Sequence, residues 1–265
     1  MHTKTIVLQG MRIAAAMALW VGAAEAALRT ETVEYNDGPS VLEGHFAYDD
    51  ASSERRPGIL VVHEWKGLND YAKYRAETLA GMGYAALAVD MYGKGIQAKD
   101  HEEAAQLSGI YRNDRQLMRK RILAALEELK RHPQVDAQRI AAIGYCFGGT
   151  TVLELARSAA DVRGVASFHG GLSTPQTDDA KHIKGRVLVF HGQEDPFIKP
   201  EEVTAFEKEM KEAGVDYQLV RYPGAVHSFT VPSAGDDPSK GMAYNADADH
   251  KSWQSLMEFL SEILK

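Results

Sequence analysis

Cysteine occurs once in these 265 residues, at Cys146, so no internal disulfide can form and the placement of the thiol needs another explanation. An excess of positive charge is also missing. The formal charge is −7 and the lysines and arginines are scattered, which excludes a nucleic-acid footprint and a polybasic membrane patch. The apolar run at 13–24 is too short to span a bilayer comfortably. No internal repeat or low-complexity tract divides the chain, and no G-x-G-x-x-G follows the first strand. His63-Glu64 is not a metal signature, because Gly67 stands where H-E-x-x-H needs its second histidine. These absences leave small molecules as the expected partners.

The N-terminus carries Lys4 and Arg12, the apolar run, and then Ala24-Glu25-Ala26, an A-x-A cleavage pattern. Residues 1–26 are expected to be a secretory signal, leaving a soluble, acidic, exported chain at 27–265, periplasmic or secreted. About 240 residues suffice for one α/β domain with a sizeable core. In an oxidising compartment a lone thiol is either buried and inert or has a chemical role.

Strands are expected at 31–35, 41–48, 58–63, 84–89, 139–145, 162–168, 186–191 and 217–222. Several are continuous apolar runs, as in strands buried on both faces of a parallel sheet. Helical patterns lie between them at 71–82, 114–131, 150–158, 200–213 and 249–264. The alternation predicts an α/β fold, a mostly parallel sheet with helices on both faces. Asn36-Asp37-Gly38-Pro39 marks a tight turn, so an N-terminal antiparallel hairpin precedes the parallel part. That order suits an α/β-hydrolase. The stretches 91–112 and 230–248 fit neither period and are expected to rim a pocket.

Gly144-Tyr145-Cys146-Phe147-Gly148-Gly149 follows the apolar run at 139–143 and precedes a helical pattern. This is the layout of a nucleophile elbow, in which small residues let the chain turn sharply from strand to helix and push the central side chain above the sheet. Asp195 follows the strand at 186–191 and His227 follows the last strand, so nucleophile, acid and histidine occur in α/β-hydrolase order. A thiol with a pKa near ~8.5 is only a few per cent thiolate at neutral pH. His227 is suited to take its proton and return it to a leaving group, and Asp195 to fix the imidazole tautomer. The N–H groups of Phe147 and Trp65 are the natural oxyanion donors. His169 and Tyr145 are further candidates for the pocket wall.

These motifs resemble the dienelactone hydrolase family: H-E-W-K-G-L-N after one strand, A-V-D-M-Y-G after the next, then G-Y-C-F-G-G, H-G-Q-E-D-P and G-A-V-H-S-F. The resemblance spans nearly all of 27–265. It implies a cysteine-dependent hydrolase of lactones or small carboxylic esters that works through a thioester, without metal or organic cofactor. It also implies Cys146 as nucleophile, Asp195 and His227 completing the triad, and Glu64 helping to activate the thiol. Dienelactone-cleaving members carry an arginine four residues beyond the catalytic histidine, and Val231 stands there in this chain. A neutral or differently charged ester, lactone or thioester is therefore equally compatible. Two other functional classes fit the same residues: a non-catalytic ligand-binding protein on a hydrolase scaffold, and a thiol redox sensor, which would lack a resolving cysteine.

Overall fold

The computed structural model describes residues 27–51 and 53–265; the export signal assigned to residues 1–26 lies outside them. The chain opens with the expected hairpin, β1 (Leu28–Asp37) and β2 (Ser40–Asp49), paired antiparallel so that Asp37 faces Ser40 across Gly38-Pro39. Six further strands follow: β3 (Arg56–Val62), β4 (Ala85–Val89), β5 (Val135–Tyr145), β6 (Gly164–Phe168), β7 (Arg186–Gly192) and β8 (Tyr217–Tyr222). They form one sheet in the order β1-β2-β4-β3-β5-β6-β7-β8, parallel from β4 onward.

Side chains in the central strands alternate between two apolar layers. Leu60, Val62, Ala142, Val187 and Val189 face one layer, and Ile59, Val61, Ala141, Ile143, Leu188 and Phe190 face the other. The first layer is covered by α2 (His101–Asn113), α3 (Arg115–Arg131), α4 (Phe147–Arg157) and α5 (Pro200–Glu212). The second is covered by α1 (Asp70–Ala80) and α6 (Ala246–Ile263). Each fully buried Leu, Ile, Val or Phe contributes about 1.5–3 kcal/mol, so both layers are needed to hold the sheet.

Helix α2 falls in the stretch without an assigned period. Its buried residues are Ala104, Ser108 and Tyr111, spaced four and three apart, but only one of them is large and apolar. The Asp100 carboxylate starts the helix by accepting the Glu103 N–H at 2.9 Å. Helix α4 begins three residues earlier than its pattern indicated, directly after Cys146.

That early start depends on close backbone contact. A Cβ on Gly144 would lie 2.1 Å from the Gly148 carbonyl oxygen, and one on Gly148 would lie 2.3 Å from the Val62 oxygen. The obstructing atoms are backbone and cannot swing aside. Gly144→Ala should therefore lower stability by about 3 kcal/mol, at the upper end for an overpacked site. An unchanged urea midpoint would contradict the close approach of β5 and α4.

Candidate active site

Parallel strands bring their carboxyl ends to one edge, and every candidate site residue lies at or just beyond such an end. Between β5 and α4, Cys146 holds φ 51° and ψ −111°, a conformation costly for a residue with a side chain. Its N–H donates to the Phe168 carbonyl at 2.9 Å and its carbonyl accepts the Thr150 N–H at 3.2 Å. The side chain is mostly buried and lines a cavity of about 280 Å³, together with His227, Trp65 and Thr150.

Beyond β7, the buried Asp195 accepts the Phe197 N–H through Oδ1 at 2.9 Å. Its Oδ2 lies 2.7 Å from His227 Nδ1. Beyond β8, the His227 backbone is pinned on both sides: its N–H donates to Gly241 at 3.2 Å and its carbonyl accepts from Ala243 at 3.1 Å. Met242, between them, joins the cavity wall. Burial opposes a charge on His227. Interaction with the Cys146 sulfur and with the Asp195 carboxylate outweighs it and raises the imidazole to about 10.

Glu64, half-buried beyond β3, accepts a hydrogen bond from Ser228 Oγ at 3.0 Å. Burial pushes its carboxyl up, against the pull of His227, Ser228 and Lys66. It reaches the site through the residue next to His227 rather than as part of the cavity wall. Trp65 does line the cavity, and its carbonyl accepts the Tyr92 hydroxyl at 2.8 Å. Phe147 is the first residue of α4, so its N–H has no partner within the helix and faces the end where the thiol stands.

Tyr145 and His169 are corrections to the expected pocket wall, because both are fully buried and neither borders the cavity. Tyr145 ends β5 and alternation turns it toward the α1 and α6 layer, where it stacks on Phe168 at 4.7 Å. His169, with φ 40°, lies against the nucleophile turn: its Nδ1 is 3.2 Å from the Cys146 N–H nitrogen. The stretches expected to rim the pocket do so, through Arg112 and Met242. Sequence reading missed Arg115, at the start of α3, because a basic residue in a helical pattern looks like a solvated face. Arg115 lines the cavity, its Nη2 lies 3.4 Å from the Ser173 carbonyl, and its buried Nε meets no partner among the described residues. No group of three or more His, Cys, Asp or Glu side chains is arranged for a metal among the described residues.

A mostly parallel sheet with a strained turn after β5, and an acid and a histidine after β7 and β8, defines an α/β-hydrolase. The chain belongs to the dienelactone hydrolase family, whose sequence profile matches residues 42–264. It is 31% identical over 216 residues to a probable 2-oxo-3-(5-oxofuran-2-ylidene)propanoate lactonase of Bradyrhizobium sp., covering 78% of this chain and 84% of that one. A putative carboxymethylenebutenolidase of Synechocystis is 29% identical over 224 residues, with 79% and 87% covered. Among solved structures, a dienelactone hydrolase-like promiscuous phosphotriesterase from metagenomic libraries superposes with a TM-score of 0.86 at 42% identity, covering 90% of this chain and all of that one.

The charge balance around His227 is measurable by NMR. Its imidazolium should persist to about pH 10 in the wild type. In Asp195→Asn one of the two groups that raise it loses its charge, so the midpoint should fall by about one to three pH units. A wild-type midpoint near ~6.5, the unperturbed value, would break the assigned pairing.

Proposed function

We propose that the protein hydrolyses a lactone or small carboxylic ester, with Cys146 as nucleophile, His227 as general acid and base, and Asp195 as its partner. The observation that carries this reading is the 2.7 Å contact of Asp195 with His227 Nδ1, beside a thiol that shares the cavity with His227. Asp195 fixes the tautomer, leaving His227 Nε2 for the sulfur.

The Cys146 thiolate attacks the carbonyl carbon, and the electron pair moves to the carbonyl oxygen, held by the N–H groups of Phe147 and Trp65. Collapse breaks the acyl C–O bond, and the departing alkoxide takes the His227 proton. In a lactone that alkoxide stays tethered to the acyl chain. His227 then removes a proton from water, which attacks the thioester and releases the carboxylic acid and the thiolate. Glu64, linked through Ser228, helps hold the charge that lets the thiol ionise. The reading includes export of the mature chain after removal of residues 1–26.

Substrate charge follows from the cavity wall. Val231, where the dienelactone-cleaving pattern has arginine, is buried and apolar, whereas Arg112 and Arg115 reach the cavity from the α2–α3 junction; the one carboxylate on the wall, Glu202, has its Oε1 engaged by the Leu172 and Ser173 N–H groups. We read the substrate as carrying an anionic arm directed to that side.

Cys146→Ala should lose at least about a thousandfold in kcat/KM on p-nitrophenyl esters while keeping its melting temperature. Retained turnover would end the thioester mechanism. For an ester with a terminal carboxylate, Arg115→Met should raise KM about ten- to a hundredfold, as expected for losing a charged hydrogen bond, and leave its neutral isostere nearly unchanged. Equal effects on both esters would remove the anionic arm without touching the reaction.

A further inference from the structure

Two segments that must meet for any chemistry at Cys146 are joined by a side chain outside the proposed triad. His169 follows β6 and is fully buried, and its ring bridges the nucleophile turn and the loop that carries His227. On one side Nδ1 accepts a second, longer share of the Cys146 N–H that also donates to the Phe168 carbonyl, with 3.2 Å between nitrogens. On the other, Nε2 lies 2.9 Å from Thr230 Oγ1. An N–H can only donate, so Nδ1 is the acceptor and the ring proton is on Nε2, donated to Thr230. The ring also stands edge-on to His227, with centroids 5.2 Å apart.

Thr230 is fixed from its far side as well. The Tyr71 hydroxyl lies 2.9 Å from both its carbonyl oxygen and its Oγ1, and Arg75 Nη2 donates to the same carbonyl at 3.3 Å. Arg75 is in turn held by Asp249 at 2.6 Å. A run of polar contacts therefore links the nucleophile turn, through His169 and Thr230, to α1 and α6. The backbone departs from ordinary geometry at both ends, with positive φ at Cys146, His169 and Ser228. Such conformations persist only where surrounding contacts over-determine them.

We propose that His169 and Thr230 form a positioning strut that sets the distance between the Cys146 sulfur and the His227 imidazole. The inference rests on the reading of Cys146 and His227 as reacting groups. It differs from simple packing because it requires one ring tautomer and one hydroxyl. The ring must stay neutral, since a proton on Nδ1 would face the Cys146 N–H and break the strut. Burial, reinforced by the positive charge on His227, keeps His169 well below the usual imidazole range. The other ionisable groups around His227 are Cys146, Asp195, Glu64 and His191.

Thr230→Val keeps the shape of the side chain and removes the hydroxyl; Thr230→Ser keeps the hydroxyl. Two readouts apply: ester turnover, and the rate of Cys146 alkylation by iodoacetamide at pH 7, which needs no substrate. In Thr230→Val, kcat and the alkylation rate should each fall about tenfold or more with KM within about twofold, because small misplacement of reacting groups costs rate rather than binding. Thr230→Ser should recover both to within about threefold. If Thr230→Val does not fold, His169→Asn, too short to span the gap, is judged by the same two readouts. Wild-type alkylation in the folded Thr230→Val or His169→Asn variant, or Thr230→Ser behaving like Thr230→Val, overturns the strut. Absence of ester turnover in the wild type, with alkylation still sensitive to Thr230, would refute the proposed reaction and leave the strut standing.

Discussion

The site depends on one forced turn. Cys146 keeps a left-handed φ because the first turn of α4 presses against the ends of β3 and β5, with glycine at both points of closest approach. Local preference opposes this conformation, so its stability comes from the structure around it. Strand β5 is paired on both sides, with β3 and β6. Helix α4 is buried along its whole length and anchored at its far end by Arg157, which meets Glu209 at 2.8 Å and Glu154 at 3.2 Å. Arg119 of α3 reaches the same Glu154 at 2.8 Å. A buried pair of this kind adds little net stability, but removing one partner leaves an uncompensated charge, so it acts as a geometric lock on the helix behind the thiol.

Electrostatics then separate residues that composition treats alike. Four histidines lie within the site region, and three are pushed down: His63 to about 4 by burial, and His169 and His191 by burial to which the charge on His227 adds. Only His227 is raised, because only His227 faces both a carboxylate and the thiol sulfur. Burial at neighbouring positions thus yields opposite protonation states, and the site has one imidazole able to exchange protons with a ligand. Groups whose environments drive their pKa values apart mark acid and base roles. Glu64 fits the pattern, since burial works against its charge next to a positive ring.

The elements most legible in the sequence were those whose signal is local. The turn at 144–149 showed in residue size and spacing, and Asp195 and His227 showed because each follows a strand within a few residues. What stayed hidden depends on side-chain direction. Tyr145 and His169 adjoin the right loops, yet strand alternation turns one to the opposite layer and a left-handed φ places the other beside the thiol, away from the cavity. Helix α2 was obscured because Ser108 occupies the centre of its buried stripe. Arg115 was invisible as a wall residue because its role comes from where α3 begins relative to α4, a tertiary fact with no period in the chain.

Chemistry and selectivity therefore sit on different parts of the fold. The proposed reacting groups all come from short connections at the carboxyl edge of the sheet, where strand pairing fixes their separations. The cavity wall facing them comes from the α2–α3 junction, from the connections after β6 and β7, from Glu202 at the start of α5 and from Met242 beyond β8. A cation for the substrate can thus move from the His227 loop, where Val231 is buried, to the helix junction, where Arg112 and Arg115 stand, without disturbing the nucleophile turn. Such a move would redirect the proposed anionic arm within the cavity and leave the proposed point of attack in place. On this reading the family relationship fixes the reaction, while substrate charge and shape are decided by residues whose positions the family motifs do not specify.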